Sequence, residues 1–214
     1  MEIFLGKQVM TEFWEEAFRD KGVMWGYGPA VSTVLVKDFF IRQHVRNILI
    51  PGIGYGRNAQ IFRDNGISVT GIEISKTAID LAHRHFGSEL TIYHGSVIEM
   101  PFDSIQYDGI YCYALIHLLD KDERKDLIQN CFNQLTEGGF MIFATITKEA
   151  QIYEQGTCIG VDRFEVFGGV SLFFYDRETI QEEFVRAGLF EIEEVTDIYP
   201  FYLIKCKKGV ISEL

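Results

Sequence analysis

No block of lysines or arginines occurs in this sequence. Basic residues number 20 against 31 acidic ones, a net charge of -11. A nucleic-acid groove and an anionic membrane surface both require clustered cations, so neither partner is expected. Cysteine is sparse: Cys112, Cys131, Cys158 and Cys206 are scattered, with no CxxC and no metal-ligand spacing. They read as reduced thiols of a cytoplasmic protein, and no metal is expected. The N-terminus, MEIFLGKQVM, lacks a basic stretch followed by a long apolar one, so no signal peptide is expected. No uninterrupted apolar run approaches bilayer length. Internal repeats, low-complexity tracts and proline-rich linkers are missing too, and 214 residues suit one α/β domain.

What the chain does have is apolar material: 47% hydrophobic residues, with 18 Phe and 10 Tyr, enough for a core and an aromatic pocket. Residues 8–20 read as a helix with Val9, Phe13, Trp14 and Phe18 near one face. A loop with Trp25 and Tyr27 follows. Pro29 then suits the first turn of a helix striped by Val31, Val34, Leu35, Phe39 and Ile41. Apolar runs predict strands at 47–50, 68–73, 90–93, 108–111 and 140–145. Between them lie amphipathic segments near 58–64, after the capping Ser75, and from Asp120 to the Gly138-Gly139 break. Such alternation predicts a parallel, doubly wound sheet covered on both faces. The end differs. After a helix at 177–187 come strands at 190–196 and 201–207. Their short link, Asp197 to Pro200, forces an antiparallel pair, because a parallel crossover needs a dozen residues or more. The expected fold is therefore α/β: a doubly wound, mostly parallel seven-stranded sheet ending in an antiparallel hairpin.

The segment NILIPGIGYGRNAQIFRDNGISVTGIEIS, from Asn47 to Ser75, points to chemistry. A strand runs into Gly52, Gly54 and Gly56, a helix-like stretch follows, and a second strand ends on Glu73. Glycines at a strand end let the backbone approach a ligand, and the first amides of the next helix favour its negative end. An acid at the tip of the neighbouring strand can accept both hydroxyls of a ribose. The unit reads as a nucleoside-cofactor site. Dinucleotide turns place the third glycine three residues after the second. Here that place holds Arg57, and the third glycine comes early, at Gly56.

G-x-G-x-G after a strand, with an acid 17 residues beyond Gly56, resembles the first motif of class I S-adenosylmethionine-dependent methyltransferases. Further segments are similar to that superfamily in the same order: Gly71-Ile72-Glu73-Ile74-Ser75, Gly95-Ser96-Val97 with Met100-Pro101-Phe102, Tyr107-Asp108-Gly109-Ile110 through Ile116-His117-Leu118, and Leu135-Thr136-Glu137-Gly138-Gly139. The resemblance covers residues 45 to 207. It implies S-adenosyl-L-methionine as cofactor, S-adenosyl-L-homocysteine as product, and contacts from Pro51, Gly52, Ile53, Gly54, Gly56, Arg57, Asn58, Glu73, Ile74, Ser96, Val97, Cys112 and Tyr113. Two positions depart from the pattern. Ser96 stands where many members carry an acid for the adenine amino group. Ile50-Pro51 stands where an acid often precedes the first glycine. The string Leu49-Ile50-Pro51-Gly52-Ile53-Gly54, with Phe13-Trp14-Glu15-Glu16 and Trp25-Gly26, is similar to thiopurine, thiol and halide methyltransferases. That resemblance gives sulfur a slight preference over oxygen or nitrogen as acceptor.

Methyl transfer from a sulfonium is an in-line displacement that needs alignment and a dry site, and an ionised acceptor needs no base. His117 is the candidate catalytic group, as a base or an acceptor-orienting group; the alternative is a packed structural histidine. Trp14, Trp25 and Tyr27 can form a lid over the sulfonium, or pin the N-terminal helix to the domain. The stretch 148–176 exceeds an ordinary connection, and its Gly168-Gly169 turn signals a hairpin over the cofactor mouth. Phe164, Phe167, Phe173 and Tyr175 are its candidates for the acceptor pocket, and its alternation requires some of them to pack inward instead. The domain then divides into an N-terminal helical lid (1–44), a cofactor-binding core (45–148), a hairpin insertion over the acceptor site (149–176) and a C-terminal helix with its β-hairpin (177–214). The expected function is methyl transfer to a small apolar or aromatic molecule, by a monomer or homodimer. The rivals are a methyltransferase-fold protein that binds the cofactor without catalysis, and a nucleotide-dependent oxidoreductase.

Overall fold

A computed structural model describes the backbone of residues 2–209 and the side chains of 11–209. Val9's side chain and residues 210–214 of the C-terminal unit lie outside the described residues. Seven strands form the main sheet: β1 (Asn47–Pro51), β2 (Ser68–Glu73), β3 (Thr91–His94), β4 (Tyr107–Tyr113), β5 (Leu135–Ile146), β9 (Leu189–Thr196) and β10 (Pro200–Lys207), in the order β3-β2-β1-β4-β5-β10-β9. The first five are parallel, and β10 runs antiparallel to both β5 and β9. Ile48 and Ile50 pack into one core with Phe40 and Phe62, while Leu49 packs into the other with Leu127 and Cys131. Consecutive strand residues thus enter two different cores, the mark of a sheet covered on both faces.

The helices are α1 (Glu2–Lys21), α2 (Val31–Arg42), α3 (Gln60–Arg63), α4 (Lys76–Phe86), α5 (Lys121–Gln134) and α6 (Arg177–Phe184). Ser75 caps α4 by accepting from the Ala78 amide at 3.1 Å. Asp120 and Glu123 close a capping box at the start of α5. None of the helices among the described residues is long and apolar enough to cross a membrane.

Two boundaries differ from expectation. The helix after the glycine turn is only the single turn α3. Gly54 and Gly56 hold φ of +58° and +81°, so the chain reaches Gln60 through separate tight turns rather than one helix. The other concerns α5, which stops at Gln134, short of Gly138-Gly139, because Leu135 already pairs with Tyr107 as the start of β5.

The stretch after β5 builds its own antiparallel sheet, β6 (Thr157–Gly160), β7 (Arg163–Val166) and β8 (Val170–Phe173), one strand more than the expected hairpin. Its two ends are clasped: the Lys148 amide donates to the Tyr175 carbonyl at 3.1 Å, and the Tyr175 amide to the Ile146 carbonyl at 3.2 Å. Lys148 Nζ also bridges Asp162 and Asp176 at 2.7 and 2.5 Å. Arg163 donates to the carbonyls of Leu118 and Leu119, which ties the small sheet to the loop carrying His117.

Candidate cofactor and acceptor site

The strand order reverses beside β1, with β2 on one side and β4 on the other, and ligands bind at such switch points. A cavity of about 580 Å³ opens there, at the carboxyl ends of β1, β2 and β4. This is the usual size for a small-molecule site. Its floor is the β1–α3 turn, including Gly52, Ile53, Gly54, Arg57 and Asn58. At Gly54 a Cβ would have only Phe18 within 4 Å, at 3.8 Å, and it is the positive φ rather than crowding that favours glycine there.

Glu73 ends β2 with 5% of its surface exposed. Its Oε2 accepts from the Gly54 amide at 2.8 Å, and its Oε1 from the amides of Ile74 and Ser75, both at 2.9 Å. Burial pushes this carboxyl above its ordinary range; the three amides pull the other way and do not fully offset it. Oε1 is filled by its two amides, while Oε2 keeps room for one further donor.

Arg57 also lines the cavity. Its Nη1 donates to the Trp25 carbonyl at 2.9 Å, while its Nε is buried with no partner. No carboxylate among the described residues pairs with it. Asn58 is engaged elsewhere: its Oδ1 accepts from the Ala30 amide at 3.0 Å, ahead of α2. Ile74, Ser96, Val97 and Tyr113 complete the wall from β2, the 95–97 turn and β4.

His117 lines the cavity from the turn after β4 and is buried. Its Nδ1 lies 3.1 Å from Thr145 Oγ1 and accepts the Ile146 amide at 3.4 Å. A ring nitrogen that accepts carries no proton, so the proton of the neutral ring sits on Nε2. Burial lowers the ring's pKa to about 3. At neutral pH the ring is therefore an uncharged donor, poorly suited to abstracting a proton.

Not every residue singled out in the sequence reaches the cavity. Trp14, Trp25 and Phe167 line it. Pro51, Gly56, Cys112, Tyr27, Phe164, Phe173 and Tyr175 do not. Pro51 is a buried end of β1. A Cβ on Gly56 would meet the Phe86 ring at 3.0 Å, behind the turn. Cys112 faces the core with Leu127 and Cys131, where burial pushes its thiol far up. Tyr27 stacks on His85, with ring centroids 3.6 Å apart. Phe164 packs on Tyr153 and Phe174. In β8 the side chains alternate: Val170 and Leu172 face the cavity. Phe173 turns away beneath the Arg124 guanidinium, and Tyr175 donates to Glu183 at 2.8 Å.

Several contributors carried no local signal. Tyr55, between two of the glycines, accepts the Trp25 amide at 3.2 Å, donates to the Gly26 carbonyl at 2.7 Å and stacks on Trp25. Ile198, Tyr199 and Phe201, at the β9–β10 turn, form the far wall. The apolar character of Ile198 in so short and exposed a link was the one available clue.

The strand order, with a strand–turn–strand–acid unit at its switch point, is that of a Rossmann-like doubly wound sheet closed by an antiparallel pair. Residues 48–139 match the family described as a methyltransferase domain. Curated relatives include O-methyltransferase resE of Aspergillus sclerotiorum, 30% identical over 111 residues, which are 49% of this chain and 41% of that protein. The ubiquinone biosynthesis O-methyltransferase of Coxiella burnetii is also 30% identical over 111 residues, 50% of this chain and 47% of that one. The chain thus spans about half the length of the curated relatives it matches. Among solved structures, magnesium protoporphyrin IX methyltransferase of Synechocystis with bound S-adenosylmethionine superposes with a TM-score of 0.71 at 12% identity, over 95% of this chain and 97% of that one. The 1,6-didemethyltoxoflavin N1-methyltransferase of Burkholderia thailandensis, solved with S-adenosylhomocysteine, gives 0.73 at 13% identity, over 95% and 88%. At such identities these structures establish the fold.

Proposed function

We propose that the chain is an S-adenosyl-L-methionine-dependent methyltransferase acting on a small apolar or aromatic acceptor whose oxygen or sulfur ionises without help. The observation that carries this reading is the Glu73 carboxylate, held by three amides at the floor of an apolar cavity with acceptor capacity to spare. A ribose hydroxyl is what such a carboxylate suits, through the free site on Oε2. Arg57, a cation with an orphaned Nε and no acidic partner among the described residues, suits the carboxylate of the methionine part. The faces of Trp14 and Trp25 suit a sulfonium, since aromatic rings attract cations. When bound, S-adenosyl-L-methionine supplies an electrophilic methyl group.

The protein's own contribution is orientation and dryness. Leu115, Ile146, Phe167, Leu172 and Phe201 exclude water from the space beyond the floor, which favours displacement by a poorly hydrated anion. Neutral His117 would donate from Nε2 to an acceptor heteroatom and position it, while the acceptor arrives already deprotonated. The L-I-P-G-I-G resemblance supports sulfur as that atom. The names of the matching relatives, O-methyltransferases, support oxygen. Four free cysteines, one of them exposed, support a reducing, cytoplasmic setting.

Adenosylhomocysteine is expected to raise the melting temperature, because a ligand that binds only the folded state stabilises it. Labelled S-adenosylmethionine offered with a panel of thiols, phenols, amines and carboxylates should label thiols or phenols first. Absence of any adenosylhomocysteine binding defeats the cofactor reading. Binding with no label transferred to any acceptor leaves a cofactor-binding protein without catalysis.

A further inference from the structure

Glu15 lies on α1, and its side chain crosses to the start of α4. Its Oε2 accepts from Ser75 Oγ at 2.7 Å and from the Thr77 amide at 3.2 Å; its Oε1 accepts from Thr77 Oγ1 at 2.5 Å. One carboxylate therefore caps α4 from a helix 60 residues away in the chain. Some burial raises its pKa, but the hydrogen bonds from Thr77 and Ser75 outweigh that and leave it below the ordinary range. Glu15 is thus an anion, and a strong acceptor, at neutral pH.

Residues 73–77 are gripped on two sides. From the cavity, the Glu73 carboxylate holds the Ser75 amide; from α1, Glu15 holds the Ser75 hydroxyl and both donors of Thr77. The same stretch of α1 supplies cavity wall, through Phe13, Trp14, Ala17 and Phe18. Glu15 thus docks this wall beside the acid of the floor.

We infer that Glu15 is a positioning residue for the cofactor site: it ties the α1 wall to the 73–77 segment, so that filling the site at Glu73 and seating α1 favour each other. This rests on the proposed use of Glu73. A carboxylate that merely capped α4 would affect stability alone. One that couples two elements changes ligand affinity as well, typically 5- to 150-fold.

The test is adenosylhomocysteine titration by calorimetry and by tryptophan fluorescence. Both tryptophans of the chain line the cavity, Trp14 on α1 and Trp25 after it, so the emission reports on that wall. Glu15→Ala is expected to weaken binding by about tenfold, within the usual coupling range, and to abolish most of the ligand-induced emission change. Glu15→Gln, which keeps one accepting oxygen, should fall between the two. Thr77→Val removes one partner from the other side and guards against a Glu15 variant that fails to fold. Its effect on affinity and that of Glu15→Ala should be less than additive in the double variant. Wild-type affinity and emission change in both single variants, whatever their melting temperatures, would overturn the inference. If the wild-type protein itself does not bind, the cofactor reading fails instead.

Discussion

Beneath β1 and β2 the cavity is made of main chain: a turn with three left-handed glycines, and three amides converging on one carboxylate. Across the opening, Phe167, Val170 and Leu172 of the small sheet and Ile198, Tyr199 and Phe201 of the β9–β10 turn offer mostly apolar surface, with the Tyr199 hydroxyl as the one polar group of the six. The first wall recognises by direction, since hydrogen bonds fix where a partner's atoms must lie. The second recognises by shape and area, which tolerates exchange of one apolar group for another. A site with one wall of each kind is suited to an invariant ligand on the first and a variable one on the second.

The largest break in that contrast should come from Glu73→Ala. It should weaken adenosylhomocysteine by about 1.5–3 kcal/mol, the worth of hydrogen bonds to a charged group. The loss should be the same whichever acceptor is present, and calorimetry with and without acceptor checks it. Undiminished affinity in this variant removes the ribose assignment.

A middle-sized effect should come from the hairpin tip. Phe167 holds φ of +52°, a conformation that bulky residues rarely adopt, with 64% of its surface exposed while it lines the cavity. Strain of this kind costs on the order of 1–3 kcal/mol and concentrates at functional positions. Phe167→Gly should therefore leave the melting temperature unchanged or higher, raise the acceptor KM several-fold and leave adenosylhomocysteine affinity alone. An unchanged KM would mean that the ring serves only the turn.

The smallest effect is expected at His117, between the two walls. His117→Gln, which retains a donor near the place of Nε2, should lower kcat less than about tenfold, below the 10²–10⁴ of general acid–base catalysis. The wild-type rate should show no inflection from this ring near pH 6.5. Stability should show one. The folded pKa of about 3 lies below the unfolded value, so the unfolded chain binds the extra proton first. The contribution of the neutral ring is complete above about pH 6.5 and is lost as pH falls toward 3. The raised Glu73 carboxyl works in the opposite sense, favouring the folded state in acid, so the measurement is the difference between wild type and His117→Gln. A bell-shaped rate profile that disappears in the variant would make His117 a base.

The directional wall was the legible one. Gly52, Gly54, Gly56 and Glu73 lie within one strand–turn–strand stretch, and backbone requirements show as residue types at fixed spacing. The antiparallel end followed from the brevity of the 197–200 link in the same way. The shape-built wall was only half legible. The hairpin showed in its Gly168-Gly169 turn, but alternation gives a period without its phase. Val170 and Leu172 face the cavity, where Phe173 and Tyr175 had been expected. Glu15 and Tyr55 left no trace, because their partners, Thr77 and Trp25, are distant in sequence and any acid or aromatic has the same local appearance there. The helix-like segment expected near 58–64 is shortened to α3 for the converse reason: the positive-φ glycines before it override the apolar spacing that follows them.

The clasp between Lys148 and Tyr175 makes length in the excursion beyond it thermodynamically inexpensive. With the two ends fixed at hydrogen-bond distance, the entropy of closing the loop grows only logarithmically, about 0.6 kcal/mol for each doubling. Insertions and deletions between these residues are absorbed outside the seven-stranded sheet, whose own pairing runs unbroken from β5 to β10. Of all parts of this molecule, the cavity wall built by Phe167, Val170 and Leu172 is the one that a lineage can redraw while the scaffold beneath it stands still.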